Sequence, residues 1–212
     1  MLREEETRAA QGHCRRFRSC LGSGAPLAPG SLSYNLLFAL DDPSLARALR
    51  VIRRRLPPIA GSPIRIQRAR GLRDRRGVVH AGSFLRERRM VFDCTRAEFP
   101  RVFVHELFHF VWLRAGNPLR LAWEGRMRAE HRARSSGDLG WSAEWRKRAL
   151  TPRDVAARSR RWREYCCESF CDTAAWLYSG VRRHGEFRLA AHCRARRRQW
   201  FERRVGRRGL SV

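Results

Sequence analysis

The chain has 212 residues, of which 43% are hydrophobic and 10% aromatic, and this composition excludes a disordered protein. Its formal net charge is +26, and all of its 46 basic residues except Lys147 are arginine. Because the arginines are spread along nearly the whole chain, they indicate a compositional bias rather than a dedicated nucleic-acid-binding stripe. We therefore expect only a secondary affinity for polyanions.

The seven cysteines predict neither a zinc ribbon nor a disulfide framework. Their number is odd, and no two of them form a CxxC pair. A reducing compartment is the default for such a chain, so we expect a cytoplasmic protein. The longest apolar stretch near the N-terminus, residues 32–40, is interrupted by polar residues and is too short to cross a bilayer, so no membrane association is expected.

The first half of the chain predicts a tail, one helix and a small sheet. Residues 1–30 end in a Gly/Pro-rich linker and are expected to be a disordered tail, followed by a single domain over residues 31–212. Apolar residues recur at helical spacing over residues 44–56, and a pair of prolines ends that helix. Strand-like segments separated by glycine-containing turns follow at residues 63–70, 77–85 and 89–94.

The second half of the chain predicts helices only. They are expected near residues 102–113, 119–132, 141–150, 151–180 and 186–204, and the pattern over residues 151–180 allows a kink. The first of them is apolar on almost every side, which indicates a buried helix. Together these elements predict an α+β fold that is mostly helical, with a small antiparallel or mixed sheet preceding the buried helix.

The buried helix carries the sequence HELFH. His105 and His109 are four residues apart, so both imidazoles lie on one helix face, close enough to bind one cation. Glu106 lies beside that face, where its carboxylate can act as general base on water activated by the metal. Without a partner, such groups are costly in an apolar interior, and a zinc ion would supply that partner. The alternative is that both histidines are core residues hydrogen-bonded to the backbone.

A catalytic zinc site needs a third protein ligand. The metzincin pattern HExxHxxGxxH is excluded, because Trp112 and Ala115 stand at its Gly and third His positions. Glu168 is the best remaining carboxylate, since Asp172 follows it at i+4 and can accept the spare N–H of a ligating histidine. Three further carboxylates remain alternatives for the third ligand: Glu164, Glu124 and Glu130.

Other side chains near these positions are weaker candidates for metal ligands or catalytic groups. The cysteines beside Glu168 are interpreted as small core residues, with thiolate ligation as the alternative: Cys166, Cys167 and Cys171. Five side chains could donate a hydrogen bond to a transition-state oxyanion, and the sequence does not rank them: Tyr165, Tyr178, His131, His184 and His192.

HELFH and the later ESFCD segment resemble the paired HExxH and ExxxD motifs of the gluzincins, the thermolysin-like and neprilysin-like zinc peptidases. The resemblance implies a zincin-like domain with one zinc ion, and the implied ligands are His105, His109 and Glu168. Glu106 is then the general base, and Asp172 supports a ligand histidine. The 58 residues between His109 and Glu168 are similar to the long neprilysin-type spacer. The Asn-Ala substrate-binding motif of these peptidases is absent.

These observations predict a zinc-dependent hydrolase, in particular a gluzincin-like metallopeptidase acting on a peptide or protein substrate. The alternative is a basic nucleic-acid-binding or regulatory protein in which the metal site is structural or vestigial.

Overall fold

A computed structural model of the chain describes residues 37–74, 77–206 and 209–212. The predicted tail over residues 1–30 lies outside them. The strands are β1 (Phe38–Leu40), β2 (Ile59–Ala60), β3 (Ile64–Arg68), β4 (Arg73–Asp74), β5 (Gly77–Val78), β6 (Ala81–Phe84), β7 (Arg89–Phe92) and β8 (Leu210–Ser211). The helices are α1 (Ala46–Arg53), α2 (Phe99–Arg114), α3 (Asn117–Arg132), α4 (Trp141–Arg148), α5 (Pro152–Ala156), α6 (Arg160–Tyr178) and α7 (Ala191–Arg204).

Four strands form a mixed sheet in the order β1–β3–β7–β6. The first three run parallel to one another, and β6 runs antiparallel to β7 at the end of the sheet. Ile64 and Ile66 of β3 are fully buried, while the residues between and after them are partly exposed, as a half-buried strand requires. All four strands precede α2 in the chain, which confirms the predicted α+β class with a small mixed sheet before that helix.

Helix α2 is buried along most of its length and packs against α6. The ring of Phe108 lies 5.8 Å from that of Phe170 and 6.4 Å from that of Phe201, measured between centroids. Burial of each such side chain contributes about 1.5–3 kcal/mol, so this packing holds α2 in place. The helix begins at Phe99, earlier than predicted, because Pro100 is tolerated in a first helical turn. Neither α2 nor any other helix in the described part of the chain has the length and apolar character needed to cross a membrane.

The helix predicted over residues 151–180 is in fact two helices, α5 and α6. Arg158, between them, has a φ of 48°, and this left-handed backbone conformation ends α5. Ser159 then caps α6, because its side chain accepts a hydrogen bond from the backbone N–H of Trp162. Helix α6 therefore begins with its own N-cap, and it packs against α2.

The last helix, α7, begins five residues later than predicted, at Ala191. The backbone N–H of Arg188 donates to the Asp138 carbonyl at 2.9 Å, and this contact holds the preceding residues in a loop. Within α7, the fully buried guanidinium of Arg197 pairs with the carboxylates of Glu130 and Asp138, at 2.7 Å each. Removing one partner from such a buried pair costs about 3–5 kcal/mol. The network fixes α7 against α3, and it engages Glu130, one of the alternatives for the third zinc ligand.

Candidate metal centre

The two histidines of HELFH lie on the face of α2 that packs against α6. Both side chains are buried, with only 7% of His105 and 5% of His109 exposed. Their Nε2 atoms are 3.2 Å apart, and their rings meet edge to face with centroids 4.9 Å apart. The i, i+4 spacing therefore brings both imidazoles to one point in the interior.

The Glu168 carboxylate reaches the same point from α6. It is fully buried, and its Oε2 lies 3.3 Å from Nε2 of His105 and 4.0 Å from Nε2 of His109. A tetrahedral zinc ion, with bonds of about 2.0–2.2 Å, needs ligand atoms about 3.3–3.5 Å apart. The three atoms lie close to this spacing, and two imidazoles with one carboxylate are a donor set that zinc prefers. The residues present therefore fit a zinc ion.

Asp172, one turn after Glu168, orients His105. Its Oδ1 accepts a hydrogen bond from Nδ1 of His105 at 2.7 Å, and its Oδ2 accepts one from the backbone N–H of Ala143 at 3.2 Å. When the proton of His105 is held on Nδ1, the lone pair on Nε2 is available toward His109 and Glu168. Of the two histidines of HELFH, Asp172 therefore contacts the first.

The Asp172 carboxylate packs closely against Gly140, which has no side chain to block it. The backbone of this glycine is extended, which any residue can adopt, but a Cβ at this position would overlap the carboxylate group. We expect Gly140→Ala to displace Asp172 from His105, to weaken zinc binding by about 10–100-fold, and to destabilise the fold by about 1–3 kcal/mol. Competition titration with a chelator and urea denaturation would measure the two effects.

Gly125 offers a matched control for that substitution. It lies within α3, and a Cβ there would meet no atom within 4 Å. Gly125→Ala should leave zinc affinity unchanged and stabilise the helix by about 1 kcal/mol. If Gly140→Ala bound zinc as tightly as the Gly125→Ala control, the close approach of residue 140 would have no part in aligning Asp172.

Glu106 lies next to the histidines and is almost completely buried, with 1% of its surface exposed. Its Oε2 accepts a hydrogen bond from the hydroxyl of Ser83 at 2.5 Å, and the same hydroxyl lies 3.1 Å from the backbone carbonyl of Glu106. Ser83 belongs to β6, so the edge of the sheet fixes the position of this carboxylate. Sequence reasoning missed Ser83, because a serine 23 residues before Glu106 carries no local signal.

Two side chains of α4 support Glu168. The hydroxyl of Ser142 donates to Oε2 of Glu168, and Nη2 of Arg146 lies 3.5 Å from Oε1. Arg146 also donates to the hydroxyl and the carbonyl of Ser142, at 3.0 and 2.8 Å. The first turns of α4 therefore hold the carboxylate of Glu168 in the same way that β6 holds that of Glu106. Neither residue was predicted from the sequence.

The second nitrogen of His109 faces two cysteines of α6. Its Nδ1 lies 3.5 Å from the sulfur of Cys167 and 3.6 Å from that of Cys171. The three side chains form a second group of closely spaced potential ligand atoms. Both cysteines are buried, as predicted for core residues, but they also give His109 the hydrogen-bond partner that Asp172 gives His105.

The electrostatics of the site favour positive charge. Burial opposes a charged His105, but the carboxylates of Asp172 and Glu168 outweigh it and raise the pKa of His105 well above its usual value. Burial likewise opposes a charged His109, but the Cys167 sulfur and the Glu168 carboxylate raise its pKa to about 9. A hydrogen bond from Cys171 lowers the pKa of Cys167 to about 6, although burial acts in the opposite direction. A divalent cation would be stabilised by the same negatively charged groups that raise the pKa values of the two histidines.

The remaining alternatives for the third ligand are engaged with arginines. Oε1 of Glu164 lies 2.7 Å from Nε of Arg160, and Oε2 of Glu124 lies 2.7 Å from Nε of Arg158. Among the described residues neither carboxylate joins a group with the two histidines. The structure therefore brings together His105, Glu106, His109, Glu168 and Asp172, and it does not bring in Glu164, Glu124 or Glu130.

A cleft of about 660 Å³ opens beside His105 and Glu106. Residues of β6, of α2 and of the first turn of α4 line it, as does His184. Of the five side chains considered as oxyanion donors, His184 is the one that lines this cleft, whereas the buried Tyr165 hydroxyl donates to Asp138 at 3.3 Å. Glu106, the general base predicted from the sequence, is among the residues that line this cleft.

Comparison with protein families, with curated protein sequences and with solved structures gives no match to this chain.

Proposed function

We propose that this protein is a zinc-dependent hydrolase that cleaves peptide bonds, with a gluzincin-like site on a zincin-like scaffold. The observation that carries the proposal is the convergence of Nε2 of His105, Nε2 of His109 and Oε2 of Glu168, next to a cleft that His105 and Glu106 line. Structural zinc sites are usually closed by four protein ligands, whereas catalytic sites keep a position for water. A set of three converging ligands, one of which lines an open cleft, favours the catalytic kind.

The proposed chemistry assigns a role to each side chain around the ligands. A zinc ion bound there would polarise the scissile carbonyl and lower the pKa of water. Glu106 accepts the proton of the attacking water and later delivers it to the leaving amine. Ser83 keeps the Glu106 carboxylate in position through its hydrogen bond to Oε2. Asp172 keeps His105 in the tautomer whose Nε2 can ligate, and so it is a positioning residue.

The edge strand β6 offers a place for an extended peptide. It is the last strand on its side of the four-stranded sheet, and Ala81, at its start, lines the cleft. A peptide added to this edge would be held by main-chain hydrogen bonds and would pass close to Glu106, because Ser83 of the same strand contacts that residue. Main-chain pairing of this kind does not require the Asn-Ala motif that the sequence lacks.

The experiment that tests the proposal is cleavage of a mixed peptide library by the purified full chain, read by mass spectrometry. We expect cleavage by the zinc-loaded protein, loss of cleavage on chelation and recovery when zinc is restored. Elemental analysis should find stoichiometric zinc in the active sample. Protein that carries this zinc and cleaves no peptide would contradict the proposed hydrolase while leaving the metal site intact.

A further inference from the structure

A second cleft, of about 240 Å³, lies between α3 and α7. Four of its seven lining residues are arginines, and none is acidic. We call it the arginine groove, and its lining residues are Ala122, Arg126, Arg196, Gln199, Trp200, Arg203 and Arg204. None of them lines the cleft beside the candidate metal centre.

Helical spacing explains why α7 presents this composition to one side. Arg196, Gln199, Trp200 and Arg203 follow one another at i, i+3, i+4 and i+7, so they form one stripe along the helix. Arg196 and Arg203 are exposed at either end of the stripe. With a rise of about 1.5 Å per residue, the two guanidinium groups start from points about 10 Å apart along the axis. The stripe is therefore long enough for more than one anionic group.

The charges of the arginine groove are not compensated by the protein. No carboxylate in the described part of the chain lies within ion-pair distance of its four guanidinium groups. Nε of Arg126 is buried and has no hydrogen-bond partner among those residues. By contrast, the buried Arg197 of α7 forms ion pairs with two carboxylates. Like charges gathered without partners repel one another, and a bound anion relieves that repulsion.

We propose that the arginine groove binds the phosphate groups of a chain-like polyanion, either a nucleic-acid strand or inorganic polyphosphate. Guanidinium groups suit this ligand because their planar N–H fork donates two hydrogen bonds to one phosphate. The length of the stripe on α7 favours several linked phosphates over one. The site is separate from the candidate metal centre, so it stands or falls independently of the proposed hydrolase.

The test is binding of a labelled single-stranded oligonucleotide of about 12 nucleotides to the full chain, measured by fluorescence anisotropy at about 50 mM salt. The groove variant is Arg196→Gln/Arg203→Gln. The matched control is Arg53→Gln/Arg54→Gln, which removes the same charge from exposed positions at the end of α1. We expect the groove variant to lose at least about fivefold in affinity and its salt slope to fall by about 1.4, or 0.7 for each lost phosphate contact. The control should change affinity by less than about twofold.

Competition distinguishes the two sources of phosphate. Displacement of the oligonucleotide by inorganic polyphosphate, lost in the groove variant, supports recognition of phosphate alone. Oligonucleotide binding that polyphosphate does not displace, but that the groove variant lacks, supports a nucleic-acid strand as the ligand. Equal losses in the groove variant and the control, or no binding of either polyanion, would overturn the proposal, because the affinity would then reflect only diffuse surface charge.

Discussion

Replacement of Glu106 by Gln should leave the zinc content unchanged and lower kcat for peptide cleavage by about 10²–10⁴-fold, the contribution of a positioned general base. The amide has the same shape and can remain within reach of Ser83, but it cannot accept a proton from water. None of the three converging ligand atoms belongs to Glu106, so this substitution should not empty the metal site. Elemental analysis and single-turnover cleavage assays on the same preparation measure both parts of this expectation.

Ser83→Ala is the informative companion to that variant. It keeps the carboxylate and removes the hydroxyl that contacts both Oε2 of Glu106, at 2.5 Å, and the backbone carbonyl of Glu106, at 3.1 Å. We expect a smaller loss of kcat than in Glu106→Gln, with unchanged zinc. Cleavage by Glu106→Gln at the rate of the unaltered protein would remove Glu106 from the mechanism and direct attention to another base in the cleft.

Glu168→Ala should lower zinc affinity by more than the 10–100-fold that loss of a supporting residue costs. In the proposed site the carboxylate supplies one of three ligand atoms. Its removal leaves only the two imidazoles to bind the cation. Circular dichroism would verify that α6 is retained, and Glu168→Gln, which preserves the volume, serves as a second variant. Equilibrium dialysis against a zinc chelator measures the affinity.

Glu164→Ala is the matched control, because the same residue type is removed one turn earlier on the same helix. Its carboxylate pairs with Arg160 at a partly exposed position, so zinc binding should be unaffected. Glu124→Ala should also retain zinc, since that carboxylate binds Arg158. An empty site in either control together with a full site in Glu168→Ala would reverse the assignment of the third ligand.

The sequence predicts the parts of this site that depend on spacing within one helix. His105 and His109 share a face wherever α2 forms, and the same holds for Glu168 and Asp172 on α6. That the two faces meet was implied by the resemblance of ESFCD to the gluzincin motif. Spacing alone left Glu164 open, and only packing in three dimensions separates it from Glu168.

Side chains contributed by other elements could not be predicted. Ser83 and Ser142 contact Glu106 and Glu168 across 23 and 26 residues of chain, and a lone serine at such a distance resembles any surface serine. The position of the break at Arg158 was not predicted, because a positive φ at a residue other than glycine has no reliable sequence signal. The position of Cys167 and Cys171 beside the site could have been predicted, because their i, i+4 spacing runs alongside that of Glu168 and Asp172 on the same helix.

The Asp172 carboxylate connects the candidate metal site to helix α4. One of its oxygens holds His105 and the other holds the backbone of Ala143, near the start of a helix whose first residues, Trp141 and Ser142, line the cleft. Coupling of this kind is thermodynamically reciprocal. In the proposed zinc-bound protein, substrate contacts that stabilise α4 should therefore tighten zinc binding, and changes that loosen α4 should weaken it.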